Sequence, residues 1–325
     1  MMTTLETTTH SHQADIDSLN ERISRRLDSA NPLMSRIVMS LLRTKGKQLR
    51  PLMLIMCAKI FGPVTDKVLA SASAVELLHN ASLIHDDVVD TSMPRRNRPT
   101  VNAVWDNHIA VLVGDFFTSS AMQEAISTGD IRIIDALCHL GRDLSLGEID
   151  QISNAREHTL TPEAYFRIVD YKTASLFVAS ARMGCLAADA PNEATRILAD
   201  FALLFGRCFQ LRDDVFDYYP STLVGKPTGN DLREGKVSLP LLLALERVSG
   251  PKRDQIAAML KRDDLDDDEI EYIMAFARDN GGIDAAYEVM AGLCRQARQL
   301  LGKLPQCDIC TQLAALFDFV IERQY

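Results

Sequence analysis

The chain has 325 residues, 47% of them hydrophobic, and a formal charge of −9. That length accommodates one large domain or two small ones, and the acidic balance argues against nucleic acid as a partner. Seven cysteines are scattered without a framework. The lone C-x-x-C at Cys307 and Cys310 has no second pair to complete a zinc site, so buried or incidental thiols in a reducing cytoplasm are expected.

Leu and Ala dominate, Gly and Pro are sparse at 16 and 12, and no stretch alternates apolar and polar residues for long. This is the composition of an all-helical protein. Residues 1–13 show neither a basic start nor an apolar core, so they read as a disordered tail rather than a signal peptide. Residues 14–325 are expected to form a single helical domain. Apolar runs fall far short of the ~18 residues that would span a membrane.

In chain order, Ala14 to Leu42 carries the spacing of one or two amphipathic helices. Arg43, Lys45, Lys47 and Arg50 then precede an apolar run from Leu52 to Phe61, with Pro51 suited to a first helical turn and Gly62-Pro63 to its stop. A basic cluster is thus placed at a helix N-terminus, where free N–H groups also favour an anion. The next helix is predicted to begin near Thr65-Asp66 and to end by Pro94. Into its apolar sequence are set His79, Asp86, Asp87 and Asp90, with Arg95, Arg96 and Arg98 just beyond. On a helix His79, Asp86 and Asp90 fall within roughly 40° of one another. Ionised carboxylates at i, i+4 repel, so a compensating divalent cation is expected, and the fork-shaped guanidinium groups suit phosphate oxygens.

Val101 to Thr128 reads as mainly helical, with Asp115 an unusual polar residue in an apolar context. Ile131 to Ser153 reads as another helix, carrying Gly147, Glu148 and Gln151. Thr161-Pro162 starts the next, with Lys172 and Thr173 in its middle. Asn192 to Tyr219 repeats the earlier pattern: Gln210, Asp213, Asp214 and Asp217 fall within about 100° of arc, a second D-D-x-x-D stripe 127 positions after the first. Gly225 to Lys236 reads as a mobile basic loop with Lys226 and Lys236. It is not a Walker A loop, because its glycine spacing is wrong and Val237 replaces Ser/Thr. The remaining segments read as packing helices, with Asp263 to Glu269 an N-cap and first turn.

Six carboxylates flanked by Arg, Lys and His describe a site for a polyanion held through Mg²⁺, a hard ion that takes oxygen ligands. Zinc is disfavoured, since His79 and His85 point about 120° apart on one helix. No Ser-His-Asp or Cys-His set presents itself. The alternative is chemistry driven by a departing diphosphate, its charge neutralised by metal and cations, with apolar helices sheltering a carbocation from water.

These motifs resemble those of the trans-isoprenyl (polyprenyl) diphosphate synthases, most like the long-chain, octaprenyl-type members. Gly46-Lys47-Gln48-Leu49-Arg50-Pro51 is similar to the family's G-K-x-x-R-P. Asp86-Asp87-Val88-Val89-Asp90 and Asp213-Asp214-Val215-Phe216-Asp217 resemble its two Asp-rich motifs. The Arg pair, Lys172-Thr173, Phe209-Gln210 and Gly235-Lys236 match in order. One departure is Asn97-Arg98, which stands where many members carry Gly.

The resemblance implies an antiparallel helix bundle around a central cavity (the isoprenoid synthase fold) and a cytoplasmic homodimer, with peripheral membrane contact for product release. It implies that Lys47, Arg50, His79 and Arg96 hold isopentenyl diphosphate. Arg95, Lys172, Thr173, Gln210, Lys226 and Lys236 would hold the allylic diphosphate, with three Mg²⁺ on the six aspartates. Lys172 and Lys236 would assist ionisation, and the proton would leave with the released diphosphate.

Ala81 and Ser82 lie one turn before the first motif, where short-product members place an aromatic ring. Both are small, which implies a long all-trans product of the quinone side-chain type. Leu78 and the Ile131–Cys138 stretch are candidates for the tunnel's end. The readings set against this are a short-chain (farnesyl or geranylgeranyl) synthase, a terpene cyclase or squalene-type synthase, and a non-catalytic subunit of a heteromeric synthase. The G-K-x-x-R-P element opposes the cyclase, and the six retained carboxylates oppose the inert subunit.

Overall fold

The computed structural model describes residues 8, 10–43, 46–91, 94–95, 98–157, 161–219, 228–262 and 264–322. It is all-α, apart from a two-residue antiparallel pairing of β1 (Pro94–Arg95) with β2 (Arg98–Pro99). The chain divides into two compact units, one of residues 1–142, 176–199 and 304–313, the other of residues 143–175, 200–303 and 314–325.

In the first unit the helices start where local chemistry places them. Asn31 caps α2 (Pro32–Leu42) by accepting the N–H groups of Leu33 and Met34, Thr65 caps α4 (Asp66–Val89), and Thr100 caps α5 (Val101–Val104). Each offers a side-chain oxygen to a donor the first turn leaves unpaired. α1 (Gln13–Arg26) and α2 are two amphipathic helices, and α3 (Leu49–Lys59) is almost wholly buried. α4 packs against α1, α3 and α6 (Asn107–Ser127). Its run of Ala70, Ser71, Ala72, Ser73 and Ala74 is fully buried, because small side chains let neighbouring backbones come close. Glu124 of α6, 1% exposed, receives both Arg22 and Arg26 of α1. A buried carboxylate is tolerable only with such charge-matched donors.

His12, read from sequence as part of the tail, is buried. Its Nε2 lies 2.9 Å from Gln312 Oε1, and its Nδ1 accepts from Lys59 Nζ at 3.1 Å. Residues 1–7 and 9 of that tail lie outside the described residues.

α7 (Ile131–Glu157), α9 (Ser175–Ala187), α10 (Asn192–Asp217) and α16 (Asp308–Glu322) each divide their residues between the units. The second unit also contains α8 (Pro162–Val169), α11 (Asn230–Arg233), α12 (Leu239–Arg247), α13 (Pro251–Met259), α14 (Asp267–Asp279) and α15 (Gly282–Leu301). α12 packs on α14 and α15, and Phe201, Phe205 and Phe317 form an edge-on aromatic cluster in its core. Asp266 and Glu269 close a capping box at the start of α14, as the acid run implied; Asp263 lies outside the described residues. No helix among the described residues is long and apolar enough to cross a membrane.

Candidate active site

In the first unit, Asp86, Asp87 and Asp90 occupy the last turn and C-cap of α4. Asp87 is buried, Asp86 and Asp90 are half-buried, and His79 is buried two turns earlier. The C-terminus of a helix already carries the negative end of its dipole. Three aspartates there add to the negative end of the helix dipole, a placement that a bound cation would favour.

α3 shows the converse arrangement. Its N-cap, Gln48, is left-handed at φ 48°, held by two hydrogen bonds between the Gln48 and Asn20 amides. Lys47 is exposed beside it, and Arg50 stacks on the Phe177 ring at 5.1 Å. Cations at a helix N-terminus repel its free N–H end, and an incoming anion relieves both.

Two other first-unit positions are more ordinary than their sequence suggests. Asp115 lies on the exposed side of α6, where its Oδ1 meets His85 Nε2 at 3.5 Å. A side chain on Gly114 would run into the His85 ring, so His85 marks the close approach of α4 and α6. Ala81 is 1% exposed, with its methyl group enclosed, whereas Ser82 is half-buried and donates to the His79 carbonyl at 2.9 Å. Both are small side chains about one turn before the first aspartate motif. Leu78 meets α7 at Gly141.

In the second unit, α10 ends on Asp213, Asp214 and Asp217, repeating the dipole-opposed placement. Thr161 caps α8, and the chain then runs through one π-helical turn, Asp170–Ala174, which carries Lys172 and Thr173. Such π turns interrupt α-helices often at functional sites. Here Asp170 clamps the turn to α10 through a two-pronged pair with Arg207 at 2.7 Å.

Lys172 Nζ lies 2.6 Å from Glu148 Oε1 and 2.9 Å from Gln151 Oε1 on α7. Gly147 permits that approach, because a Cβ there would sit 2.7 Å from Lys172 Cγ and 2.9 Å from Tyr171 Cβ. Thr173 Oγ1 donates to Gln210 Oε1 at 2.7 Å, and Gln210 Nε2 donates to Asp214 Oδ1 at 2.8 Å. The Tyr165 hydroxyl donates to Asp214 Oδ2 at 2.5 Å.

The three aspartates of this motif are not equivalent. Asp213 is exposed. Asp214 is 4% exposed, and burial together with nearby Asp231 pushes its carboxyl well above the usual range, against the pull of Tyr165 and Gln210. Asp217 accepts the backbone N–H groups of Asn230 and Asp231 at 3.3 and 3.1 Å, tethering α11 and the turn that leads to Lys236. Burial raises its carboxyl as well. Asp231, which the sequence did not single out, is pushed up to about 7 by burial and by Asp217. Lys236 meets Glu234 at 2.5 Å. Lys172, Thr173, Gln210, Asp214, Asp231 and Lys236 all line one cavity of about 250 Å³.

Arg96 and Lys226 lie outside the described residues, and of Arg95 the backbone alone is described. Among the described residues no group of three or more His, Cys, Asp or Glu forms a ready-made metal cage. The donors available are all hard carboxylate oxygens. That fits Mg²⁺, which keeps several waters and is held by one or two carboxylates plus substrate phosphates.

Acidic helix C-termini, a basic helix N-terminus and a lysine-lined cavity in an all-helical chain describe an isoprenoid synthase fold. Residues 31–277 match the model of the polyprenyl synthetase family, and the chain belongs to that family. It is 31% identical over 316 residues to octaprenyl diphosphate synthase of Haemophilus influenzae, covering 96% of this chain and 94% of that one. It is 33% identical over 316 residues to nonaprenyl diphosphate synthase of Mycobacterium tuberculosis, covering 96% and 93%. A solved polyprenyl synthase from Caulobacter crescentus, complexed with calcium and isoprenyl diphosphate, superposes with a TM-score of 0.91 at 32% identity, covering 99% of this chain and 98% of that one. The chain is a prenyltransferase of the polyprenyl synthase class.

Proposed function

We propose that this chain condenses isopentenyl diphosphate with an allylic diphosphate, repeatedly, to build a long all-trans polyprenyl diphosphate. The observation that carries the reading is the double reversal of helix electrostatics. Two helices end on D-D-x-x-D, and a third begins beside Lys47 and Arg50. Carboxylates at a helix C-terminus favour a bound cation, and cations beside a helix N-terminus favour a bound anion.

Mg²⁺, three ions by family resemblance, would be held by Asp86, Asp87, Asp90, Asp213, Asp214 and Asp217, and would neutralise charge on the departing diphosphate. Lys172 and Lys236 present ammonium groups to the allylic diphosphate, with Thr173 and Gln210 as hydrogen-bonding partners and Arg95 and Lys226 as further cations. Tyr165 and Gln210 hold Asp214 in one orientation, so no reorganisation is needed as charge develops. Lys47, Arg50, His79 and Arg96 hold isopentenyl diphosphate. The small residues at Ala81 and Ser82 leave the path of the growing tail open, and Leu78 with the facing part of α7 is the candidate for its end.

We also place the enzyme in the cytoplasm as a homodimer. In support, Val111, Leu112, Met122 and Ile126 of α6 are exposed and share about 100° of helix arc. An apolar stripe of that kind is suited to a second copy.

The test is incubation of the purified chain, alone, with farnesyl diphosphate, excess radiolabelled isopentenyl diphosphate and Mg²⁺. Products longer than geranylgeranyl diphosphate support the proposal, and their disappearance in Asp86→Ala and Asp213→Ala ties it to both motifs. A product that stops at geranylgeranyl, or no product from the wild-type chain alone, refutes it.

A further inference from the structure

Outside the site, two cysteines form a cluster of nucleophilic side chains among the described residues. Cys307 and Cys310 stand at the start of α16, and their sulfur atoms are 3.5 Å apart. Cys307 immediately precedes the helix, its carbonyl accepting the Thr311 N–H. It is half-buried and reachable. Cys310 is buried, and its thiol donates to the Pro305 carbonyl at 3.6 Å. Burial and the contact with Cys307 push Cys310 up to about 11.

The other cysteines lack this combination. Cys57, Cys185 and Cys208 are fully buried, Cys294 is buried, and Cys138 is exposed. Cys57 of α3 and Cys185 of α9 lie close to one another, and Cys57 also neighbours Cys310, but burial holds the Cys57 thiol protonated.

We propose that Cys307 and Cys310 are a redox-active dithiol that closes reversibly to a disulfide, with Cys307 the attacking and Cys310 the resolving thiol. The sulfur atoms need to close from 3.5 Å to the ~2.05 Å of an S–S bond, and the i, i+3 spacing supplies the right Cα separation. With a hydroperoxide as oxidant the steps balance. The Cys307 thiolate attacks one peroxide oxygen, the O–O bond breaks, and hydroxide takes up the proton Cys307 released, giving a sulfenic acid and water. The Cys310 sulfur then attacks the sulfenic sulfur, and the S–O bond breaks. The Cys310 proton leaves with that oxygen as a second water. Two electrons pass from the two thiols to the peroxide, and a reduced low-molecular-weight thiol reopens the bond by exchange.

Both cysteines fall in one tryptic peptide, Leu304–Arg323, which makes the test direct. The intact protein is treated with stoichiometric hydrogen peroxide, alkylated, digested and weighed, and in parallel equilibrated against graded mixtures of reduced and oxidised glutathione. The expected result is a peptide lighter by two hydrogens, refractory to alkylation and restored by dithiothreitol, with a smooth transition across the glutathione series. Cys307→Ser should abolish the change, and Cys310→Ser should leave Cys307 as a dione-reactive sulfenic acid. The proposal is overturned if the wild-type peptide keeps two alkylatable thiols after peroxide and across the glutathione series. It is equally overturned if Cys310→Ser yields no sulfenic acid at Cys307.

Discussion

Replacing Gly147 by alanine should damage allylic diphosphate binding more than any other single methyl group added to α7. The new Cβ would sit 2.7 Å from Lys172 Cγ, 2.9 Å from Tyr171 Cβ and 3.1 Å from Lys172 N. Ordinary carbon–carbon contact begins near ~3.5 Å, so α7 and the π turn must part by about 0.8 Å. The obstructing atoms are backbone and inner side-chain atoms, which have little freedom to yield. Overpacking of this kind costs roughly 1–3 kcal/mol. The same displacement pulls Lys172 from Glu148 and Gln151 and loosens the bond from Thr173 to Gln210. A misplacement near ~1 Å at a catalytic constellation is associated with losses of about 10²-fold. Steady-state kinetics should therefore show kcat/KM for the allylic substrate down about 30- to 100-fold, with KM for isopentenyl diphosphate little changed. Gly141→Ala on the same helix is the control, because its Cβ would meet Leu78 Cδ2 at an ordinary 3.9 Å. Wild-type kinetics in Gly147→Ala, or equal damage from both variants, would refute the placement of Lys172.

Further outcomes follow from other parts of the molecule. Ala81→Phe and Ser82→Phe should each shorten the product, read by chromatography, and an unchanged length would remove both from the path of the tail. If α6 forms the proposed homodimer interface, the wild type should have a dimer's mass in light scattering and Leu112→Glu with Met122→Glu a monomer's; an unchanged mass would remove α6 from the interface. Glu124→Gln should destabilise the fold by about 3–5 kcal/mol in urea unfolding, because it leaves Arg22 and Arg26 without their buried partner. His12 adds a pH dependence. Its pKa is held below the ordinary 6.5 by burial and by Lys59, against the pulls of Gln312 and of Asp15 at 3.9 Å. The neutral ring is therefore the folded form, and its contribution is full above about pH 6.5 and lost progressively as pH falls from there through the lowered folded-state value. The urea midpoint of the wild type should drop between pH 7.5 and 5.5 by more than that of His12→Gln.

The long helices were legible because their signals are local. Thr65 caps α4 and Thr161 caps α8 as the sequence implies, and both D-D-x-x-D stripes lie on helices. What escaped were relations between distant segments. Glu148 and Gln151 gave no hint that they would hold Lys172, since 21 positions separate Gln151 from it. Tyr165 looked like one more apolar residue of α8 until its hydroxyl met Asp214. The π turn has no composition of its own, and Asp231 was hidden in a Gly-rich loop read for its lysines. Asp115 misled for the opposite reason: an apolar stretch such as Val111–Phe117 suggests core, yet Val111 and Leu112 are exposed. His12 is fixed by contacts with Lys59 and Gln312, which no reading of residues 1–13 in isolation supplies.

The most direct test of the account is a crystal structure of the protein with Mg²⁺ and an unreactive allylic thiodiphosphate. The account predicts metal density on carboxylates of both Asp motifs, and diphosphate oxygens at Lys172 and Lys236. Diphosphate seated away from those lysines, or metal on one motif alone, would contradict it.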